Sequence, residues 1–358
     1  MADKKYRMGV LGLGEGRSVI SAALHSDYWE LVNVCDLNKD LCAERQKEFH
    51  LSRTTTDYRE MLDNPNIDVI AIYTPDQLHS RHIIQAWEAG KKVICTKPLI
   101  VSLDQAQELR EAAKRTGGTV FVGQSTRFFE PMLHQRADFD SGHFGDVITM
   151  EAQYVTDARW FLTRDWSKEK GFSWMYNFMI HAVDLARWYF PDIVEVYGIG
   201  GVNANTRERN LKCYDNIKFL FKDAQGRSAF VQGCYASPCL QTTVEPHIKS
   251  IVRGTRGISQ AEYPRLRYAT HFDQEGNQVH DYSDRHDYYF RFGGENHHAG
   301  EYQNYIEYYA RCLHAGIVPK PDLEEGIRTV AVMEAMEKSM DTGRIVTIQE
   351  ILDAHGLR

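Results

Sequence analysis

A chain of 358 residues, 43% of them hydrophobic, has material for a full core and length enough for two domains. A formal net charge of −7 argues against a nucleic-acid surface, and no apolar run approaches the length of a membrane span. Seven cysteines (35, 42, 95, 213, 234, 239 and 312) form no CxxC pair and no metal-type spacing; such an odd, scattered set suits a reducing cytoplasm.

The opening Met1-Ala2-Asp3-Lys4-Lys5 fits no signal peptide and runs straight into an apolar stretch, Tyr6 to Leu11, that reads as a buried strand. Gly12, Gly14 and Gly16 follow at every second position, with Leu13 and Glu15 between them. Ser18 to Leu24 then has helical spacing. A strand, a glycine turn and a helix place backbone N–H groups at a helix N-terminus, where a pyrophosphate can bind. The dinucleotide pattern would put its third glycine at position 17; here that residue is Arg17, and Gly16 comes one residue early. Arg17 could pair with a phosphate or point into solvent.

Glu30 to Cys35 is the next strand, with Asp36 at its tip. An acid about 20 residues past the glycines can accept hydrogen bonds from both ribose hydroxyls of an adenosine. It would also repel a 2′-phosphate, which favours NAD over NADP. The alternative is that Asp36 caps the following helix, which runs to Phe49. A short helix from Tyr58 to Leu62 precedes the strand Ile67 to Ile72, and Asp76 caps a helix through Trp87. Lys92 to Cys95 is a strand, Leu103 to Arg115 a helix, and Thr119 to Val122 a strand. This alternation predicts a doubly wound parallel sheet over residues 1–125.

The pattern changes over residues 126–358. Phe129 to Phe139 reads as a connecting helix. The runs Val147–Val155, Ile193–Gly200, Cys213–Phe221, Ser228–Tyr235 and Val244–Val252 alternate apolar and polar residues, as an open, mostly antiparallel sheet with one covered face should. A strong helix, Trp174 to Tyr189, interrupts them. Residues 263–300 read as irregular, and helices from Tyr302 to His314 and Leu323 to Met340 close the chain.

Two further stretches carry chemistry. Cys95-Thr96-Lys97-Pro98 stands at the carboxyl end of a parallel strand, the edge where ligands bind in open α/β sheets. Lys97 there can reach a bound substrate, or it is a surface lysine. Asn177, His181 and Asp184 fall at i, i+4 and i+7, on one face of an otherwise apolar helix. Such a stripe faces something polar, or is a buried structural pair.

Taken together, these stretches resemble the Gfo/Idh/MocA family, named for glucose–fructose oxidoreductase and inositol dehydrogenase. The likeness rests on Gly12–Gly16, Asp36, Thr74-Pro75-Asp76-Gln77-Leu78-His79, Thr96-Lys97-Pro98, and His181 with Asp184. The ending Ala335 to Ser339, with Gly343 to Val346, also fits, so the likeness covers nearly the whole chain. It implies an N-terminal Rossmann domain, a C-terminal α/β domain with an open mixed sheet, and homodimers or homotetramers built through that sheet. It implies bound NAD, held by Gly12, Leu13, Gly14, Glu15, Gly16, Arg17, Asp36, Thr74, Pro75, His79, Thr96 and Lys97. Lys97 is then the active-site lysine, its peptide bond to Pro98 open to the cis form. The chain departs from the family in two places: Thr96 stands where glutamate is usual, and Asn177 where many sugar and cyclitol dehydrogenases have aspartate.

The implied reaction is hydride transfer between a secondary alcohol of a sugar or cyclitol and the nicotinamide. Histidine is mostly neutral near pH 7, so His181 suits the role of base. The Lys97 ammonium would stabilise charge on the reacting oxygen. Asn177 could orient a neighbouring hydroxyl but cannot serve as a base. Arg127, Trp160, Trp166, Tyr176 and Tyr235 are further candidates to contact substrate. Two other readings are an NAD-dependent glycosidase, which oxidises its substrate only transiently, and a ligand-sensing regulator.

Overall fold

The computed structural model describes residues 5–164, 172–211, 213–284 and 300–357. The chain divides into two units. One holds residues up to Phe128 together with 287–330; the other holds Phe129–His286 together with Ala331–Arg358.

The first unit is built on six parallel strands: β1 (Tyr6–Leu11), β2 (Trp29–Cys35), β3 (Thr54–Thr55), β4 (Val69–Ile72), β5 (Lys92–Thr96) and β6 (Val120–Gly123). Their order is β3-β2-β1-β4-β5-β6, the doubly wound order of a Rossmann sheet. Every residue of β4 and β6 is buried, because helices cover both faces of such a sheet. The order reverses between β1 and β4, and this switch point is where ligands bind in open α/β folds. The helix Glu301–Ala315 joins this unit through its aromatic face. Tyr305, Ile306 and Tyr309 are wholly buried; Phe121 of β6 stacks on Tyr305 and Tyr309, with ring centroids 4.9 and 5.2 Å away. The indole N–H of Trp29 donates to the Ile306 carbonyl at 3.0 Å.

The second unit carries nine strands: β7 (Val147–Val155), β8 (Ile193–Gly201), β9 (Asn216–Asp223), β10 (Ser228–Cys234), β11 (Ile248–Gly254), β12 (Gly257–Tyr263), β13 (Arg267–Phe272), β14 (Gly276–Asp281) and β15 (Val346–Thr347). The order is β14-β13-β12-β11-β7-β10-β9-β8-β15, and among the described residues only the β7–β10 pair is parallel. β9 alternates strictly between exposed and buried, the mark of a sheet with one covered face. The helix Glu130–Asp140 lies on the covered side, where the Gln135 amide donates to the Ser250 carbonyl and the Ser259 hydroxyl.

Two expectations needed correcting. Residues 263–284 are not irregular; they hold β13 and β14, paired as a hairpin beside β12. β14 is an edge strand of mostly exposed polar residues, so no apolar alternation marks it. The helix from Trp174 to Tyr189 is not uniform either. Met175–Met179 form a π-helical turn, and the α-helix proper runs Ile180–Tyr189. A closing helix, Ile348–Ala354, was not expected.

Phe121→Ala should cost about 3–5 kcal/mol, the usual range for emptying a buried aromatic site. Urea unfolding followed by circular dichroism measures it, and a loss below 1 kcal/mol would show that the aromatic stack does not anchor the Glu301–Ala315 helix.

Candidate active site

Strands β1, β2, β4 and β5 all deliver candidate residues at their carboxyl ends, in the first unit. After β1 the chain turns at Gly12, whose φ is +89°. A Cβ on Gly12 would stand 2.4 Å from the Tyr73 carbonyl oxygen, so conformation and space both require glycine. Gly14 faces open space, with nothing within 4 Å of an added Cβ. Gly16 opens the helix Gly16–Leu24, and a Cβ there would meet Val10 at 3.0 Å. It therefore lets the helix seat closely on β1, the packing job of the third glycine in dinucleotide turns.

Asp36 is fixed to this turn. Its Oδ2 accepts from the Leu13 N–H at 2.8 Å, and its Oδ1 from the Asn38 N–H at 2.9 Å. Asn38 caps the following helix, accepting from the N–H groups of Asp40 and Leu41, so Asp36 is not the cap. A carboxylate has about four lone-pair sites, so both oxygens keep capacity for a ribose hydroxyl. Leu13 is buried, and its N–H is spent on Asp36. Arg17 is engaged by the Glu48 carboxylate, through Nε at 2.8 Å. Glu48 also accepts from Arg45 at 2.8 Å, and Arg45 Nε donates to the Leu13 carbonyl at 3.1 Å. This network braces the glycine turn.

Past β4, the Thr74 hydroxyl lies 3.0 Å from His82 Nδ1. Burial, helped by His79 and Arg81, holds the His82 pKa down at about 4. His79 is wholly buried. Its Nε2 faces the Thr74 carbonyl oxygen at 2.9 Å and its Nδ1 the Pro98 carbonyl oxygen at 2.6 Å. The His79 ring thus lies between the turns after β4 and β5, each ring nitrogen facing a carbonyl oxygen. Pro75 is exposed, and Thr74 and Thr96 are half-buried.

Lys97 is half-buried, and its peptide bond to Pro98 is cis. Burial lowers the pKa of its ammonium, while the carboxylates of Asp76 and Glu15 pull the other way. Glu15 accepts from the Tyr302 hydroxyl at 3.2 Å. Arg127 is 3% exposed and ion-paired with Glu325 at 3.2 Å.

The second unit supplies the histidine stretch. Asn177 sits half-buried in the π-helical turn, and π turns recur at functional sites. His181 is half-buried in the first turn of the α-helix, and Asp184 is buried one turn on. The ring of Tyr154, on β7, lies 5.7 Å from that of His181 and 5.3 Å from that of Phe178. Tyr235 is wholly buried, stacks on Trp174 at 5.6 Å, and donates to Met179 Sδ at 3.3 Å. It packs beside the turn through Trp174 and Met179. Trp160 is 47% exposed, beside a cavity of about 520 Å³ that Asp157, Arg159, Asn205 and Arg209 also line. Trp166 lies outside the described residues.

Sequence reasoning missed Arg45, Glu48, His82 and Tyr154. The first three carried no signal beyond ordinary helical polarity. Tyr154 had a weak one, an aromatic residue on the covered face of a predicted strand.

Residues 6–124 match the Gfo/Idh/MocA oxidoreductase family's NAD-binding Rossmann fold, and residues 137–348 match its C-terminal alpha/beta domain. The chain belongs to the Gfo/Idh/MocA family. Among relatives in that family, it is 24% identical to a levoglucosan dehydrogenase from Pseudarthrobacter phenanthrenivorans, over 55% of this chain and 54% of that protein. The match thus spans about half the length of that relative. It is 21% identical to a myo-inositol 2-dehydrogenase from Thermotoga maritima, over 97% of this chain and 99% of that one. Its fold is similar to that of an oxidoreductase from Agrobacterium radiobacter crystallised with NAD+, L-tartaric acid and magnesium, with a TM-score of 0.85 at 19% identity, covering 98% of this chain and 100% of that one. Among the described residues no helix is long and apolar enough to cross a membrane.

Gly12 and Gly14 should respond differently to alanine. Gly12→Ala adds backbone strain of about 1–3 kcal/mol and a main-chain clash, and should lower the melting temperature and abolish NAD binding. Gly14→Ala should melt like the unaltered chain yet bind NAD more weakly, because only a ligand occupies the space in front of it. Thermal melting with an NAD titration checks both; unchanged NAD affinity in the Gly14 variant would exclude a close backbone approach by the pyrophosphate.

Proposed function

We propose that this chain is an NAD-dependent dehydrogenase that moves hydride between a secondary alcohol of a sugar or cyclitol and the nicotinamide. The observation that carries the reading is Lys97: a half-buried lysine at the carboxyl edge of a parallel sheet, its ammonium destabilised by burial. A weakened ammonium hydrogen-bonds a developing alkoxide more strongly than a solvated one does. The names of the levoglucosan and inositol dehydrogenase relatives support the substrate class.

Bound NAD supplies the hydride acceptor. Asp36 accepts from the adenosine ribose hydroxyls, which favours NAD over NADP, and the turn from Gly12 to Gly16 receives the pyrophosphate. Lys97 holds the reacting oxygen. His181 takes the hydroxyl proton, its ring flanked by Tyr154. Asn177 holds a neighbouring hydroxyl, and Asp184 sets the helix from behind. Trp160 offers its exposed face to the apolar side of a sugar ring. In this reading residues 1–125 bind NAD, and the remainder binds substrate and forms homodimers or homotetramers. Tyr197, Leu220 and Phe230, paired across β8, β9 and β10, would line that contact. The expected compartment is the cytoplasm.

A screen of monosaccharides and inositols, read as NADH absorbance, tests the reaction. On the substrate it finds, Lys97→Met should lose about 3–4 kcal/mol of transition-state stabilisation, a fall of roughly 100- to 1000-fold. His181→Ala should fall by about 100- to 10,000-fold and regain ground on the unaltered chain at high pH, where hydroxide replaces the base. Near-normal turnover in both variants would sink the assignment. A tightly held cofactor with no net NADH would point to the glycosidase reading instead.

Asp36→Ala should weaken NAD binding by about 1–3 kcal/mol, the range for a lost charge-assisted hydrogen bond. Calorimetry measures it, and a preference of the unaltered chain for NADP would contradict the cofactor choice.

A further inference from the structure

The sequence puts a carboxylate, Glu15, inside the glycine turn, between Gly14 and Gly16. Gly14 faces open space and Gly16 opens a helix, the arrangement that seats a pyrophosphate. An anion at that place works against an anionic ligand. Glu15 is exposed, yet its Oε1 accepts from the Tyr302 hydroxyl at 3.2 Å. Tyr302 stands in the first turn of the helix Glu301–Ala315, in the same unit as the glycine turn. We propose that Tyr302 is a positioning residue for cofactor binding: it holds the Glu15 carboxylate on that helix and so limits how strongly the turn repels a pyrophosphate. The proposal rests on the reading of Gly12 to Gly16 as the pyrophosphate seat.

The hydroxyl is fixed from several sides. Tyr302 is 8% exposed, with its ring 6.0 Å from that of Tyr305, edge-on, and 6.2 Å from that of Tyr73. The hydroxyls of Tyr73 and Tyr305 lie 3.1 Å apart. Tyr73 in turn lies against the glycine turn. A Cβ on Gly12 would meet its carbonyl oxygen at 2.4 Å, and one on Gly16 would meet its Cβ at 3.5 Å. The three tyrosines thus tie the helix to the turn through rings and main chain, and the Tyr302 hydroxyl adds a contact to the charged group. Burial first, then the Glu15 and Glu301 carboxylates, hold the Tyr302 phenol well above its ordinary value. It therefore stays a donor at neutral pH. Without the hydroxyl the carboxylate can lean toward the seat. Without the charge there is nothing to restrain.

Glu15→Gln keeps an acceptor for the Tyr302 hydroxyl but carries no charge. Calorimetry at low salt should find NAD bound roughly fivefold tighter than in the unaltered chain, the size of one unit charge at contact range in water. The gain should fade at about 1 M salt, which screens repulsion but leaves a packing change untouched. Tyr302→Phe keeps the buried ring and should bind NAD several-fold more weakly, again in a salt-dependent way. Combined with Glu15→Gln, its loss should vanish. Glu15→Asp, on an exposed residue, keeps the charge but draws it back from the hydroxyl, and should weaken binding as Tyr302→Phe does. ADP should repeat this pattern, and adenosine, which has no phosphate, should bind every variant alike. Glu15 also acts on the Lys97 ammonium, so equilibrium binding is the readout rather than turnover. Melting curves establish that each variant folds. If Glu15→Gln binds NAD like the unaltered chain at low salt, or Tyr302→Phe loses as much with Gln at position 15 as with Glu, the hydroxyl only packs and the proposal is wrong. If ADP and adenosine bind the unaltered chain equally, the phosphates do not sit at this turn; the reading of the seat fails, and the proposal with it.

Discussion

The bond from the Leu13 N–H to Asp36 Oδ2 closes the glycine turn against the end of β2, and the nucleotide half of the site depends on it. Gly12 can make the turn only because it lacks a Cβ that would strike the Tyr73 carbonyl. Once the turn is made, its next N–H points at the acid one strand away. The same turn is held from outside by Arg45 on the Leu13 carbonyl, with Glu48 bridging Arg45 and Arg17. One carboxylate thus shapes the loop and remains free to read a ribose. Its loop-shaping role depends on its place at the tip of β2 and not on its charge alone.

Much of this half was legible in the residues. Parallel strands need apolar residues on both faces, so Val69–Ile72 and Val93–Cys95 stand out as short apolar runs. Glycines at a turn and an acid at a strand tip are local features, readable without the fold. Partners distant in sequence were not. His79 stood out only as part of the Thr74–His79 motif, with no sign of what its ring would face. The two carbonyls that its ring nitrogens face, those of Thr74 and Pro98, come together only when β4 and β5 lie side by side. The Arg127 ion pair was hidden for the same reason: Glu325 lies 198 residues further along the chain.

The second unit shows a different limit. An antiparallel sheet with one covered face writes its alternation into the sequence, and β9 is the clearest case. β14 writes nothing, because an edge strand needs only main-chain pairing with β13. The π-helical turn is equally silent. Its extra residue per turn is bought by packing, with Trp174 and Tyr235 stacked beneath it, and no residue type demands it. The stripe of Asn177 and His181 was visible, but the geometry that presents it was not.

Two ionisable groups are moved toward neutrality from opposite sides by one cause. Burial makes the Lys97 ammonium a weaker cation and the Glu337 carboxyl a weaker acid. Their neighbours then part them. Asp76 and Glu15 oppose the loss of charge on Lys97, so the lysine keeps a cation's partners while losing a cation's solvation. Glu334 and Asp341 act with burial on Glu337, so the neighbouring carboxylates favour its neutral form. A group whose surroundings disagree is suited to stabilise charge that appears during a reaction. A group whose surroundings agree is suited to stay uncharged. Desolvation alone would treat the two alike; nearby carboxylates separate them, because the same negative charge favours the charged form of a lysine and the neutral form of a carboxyl.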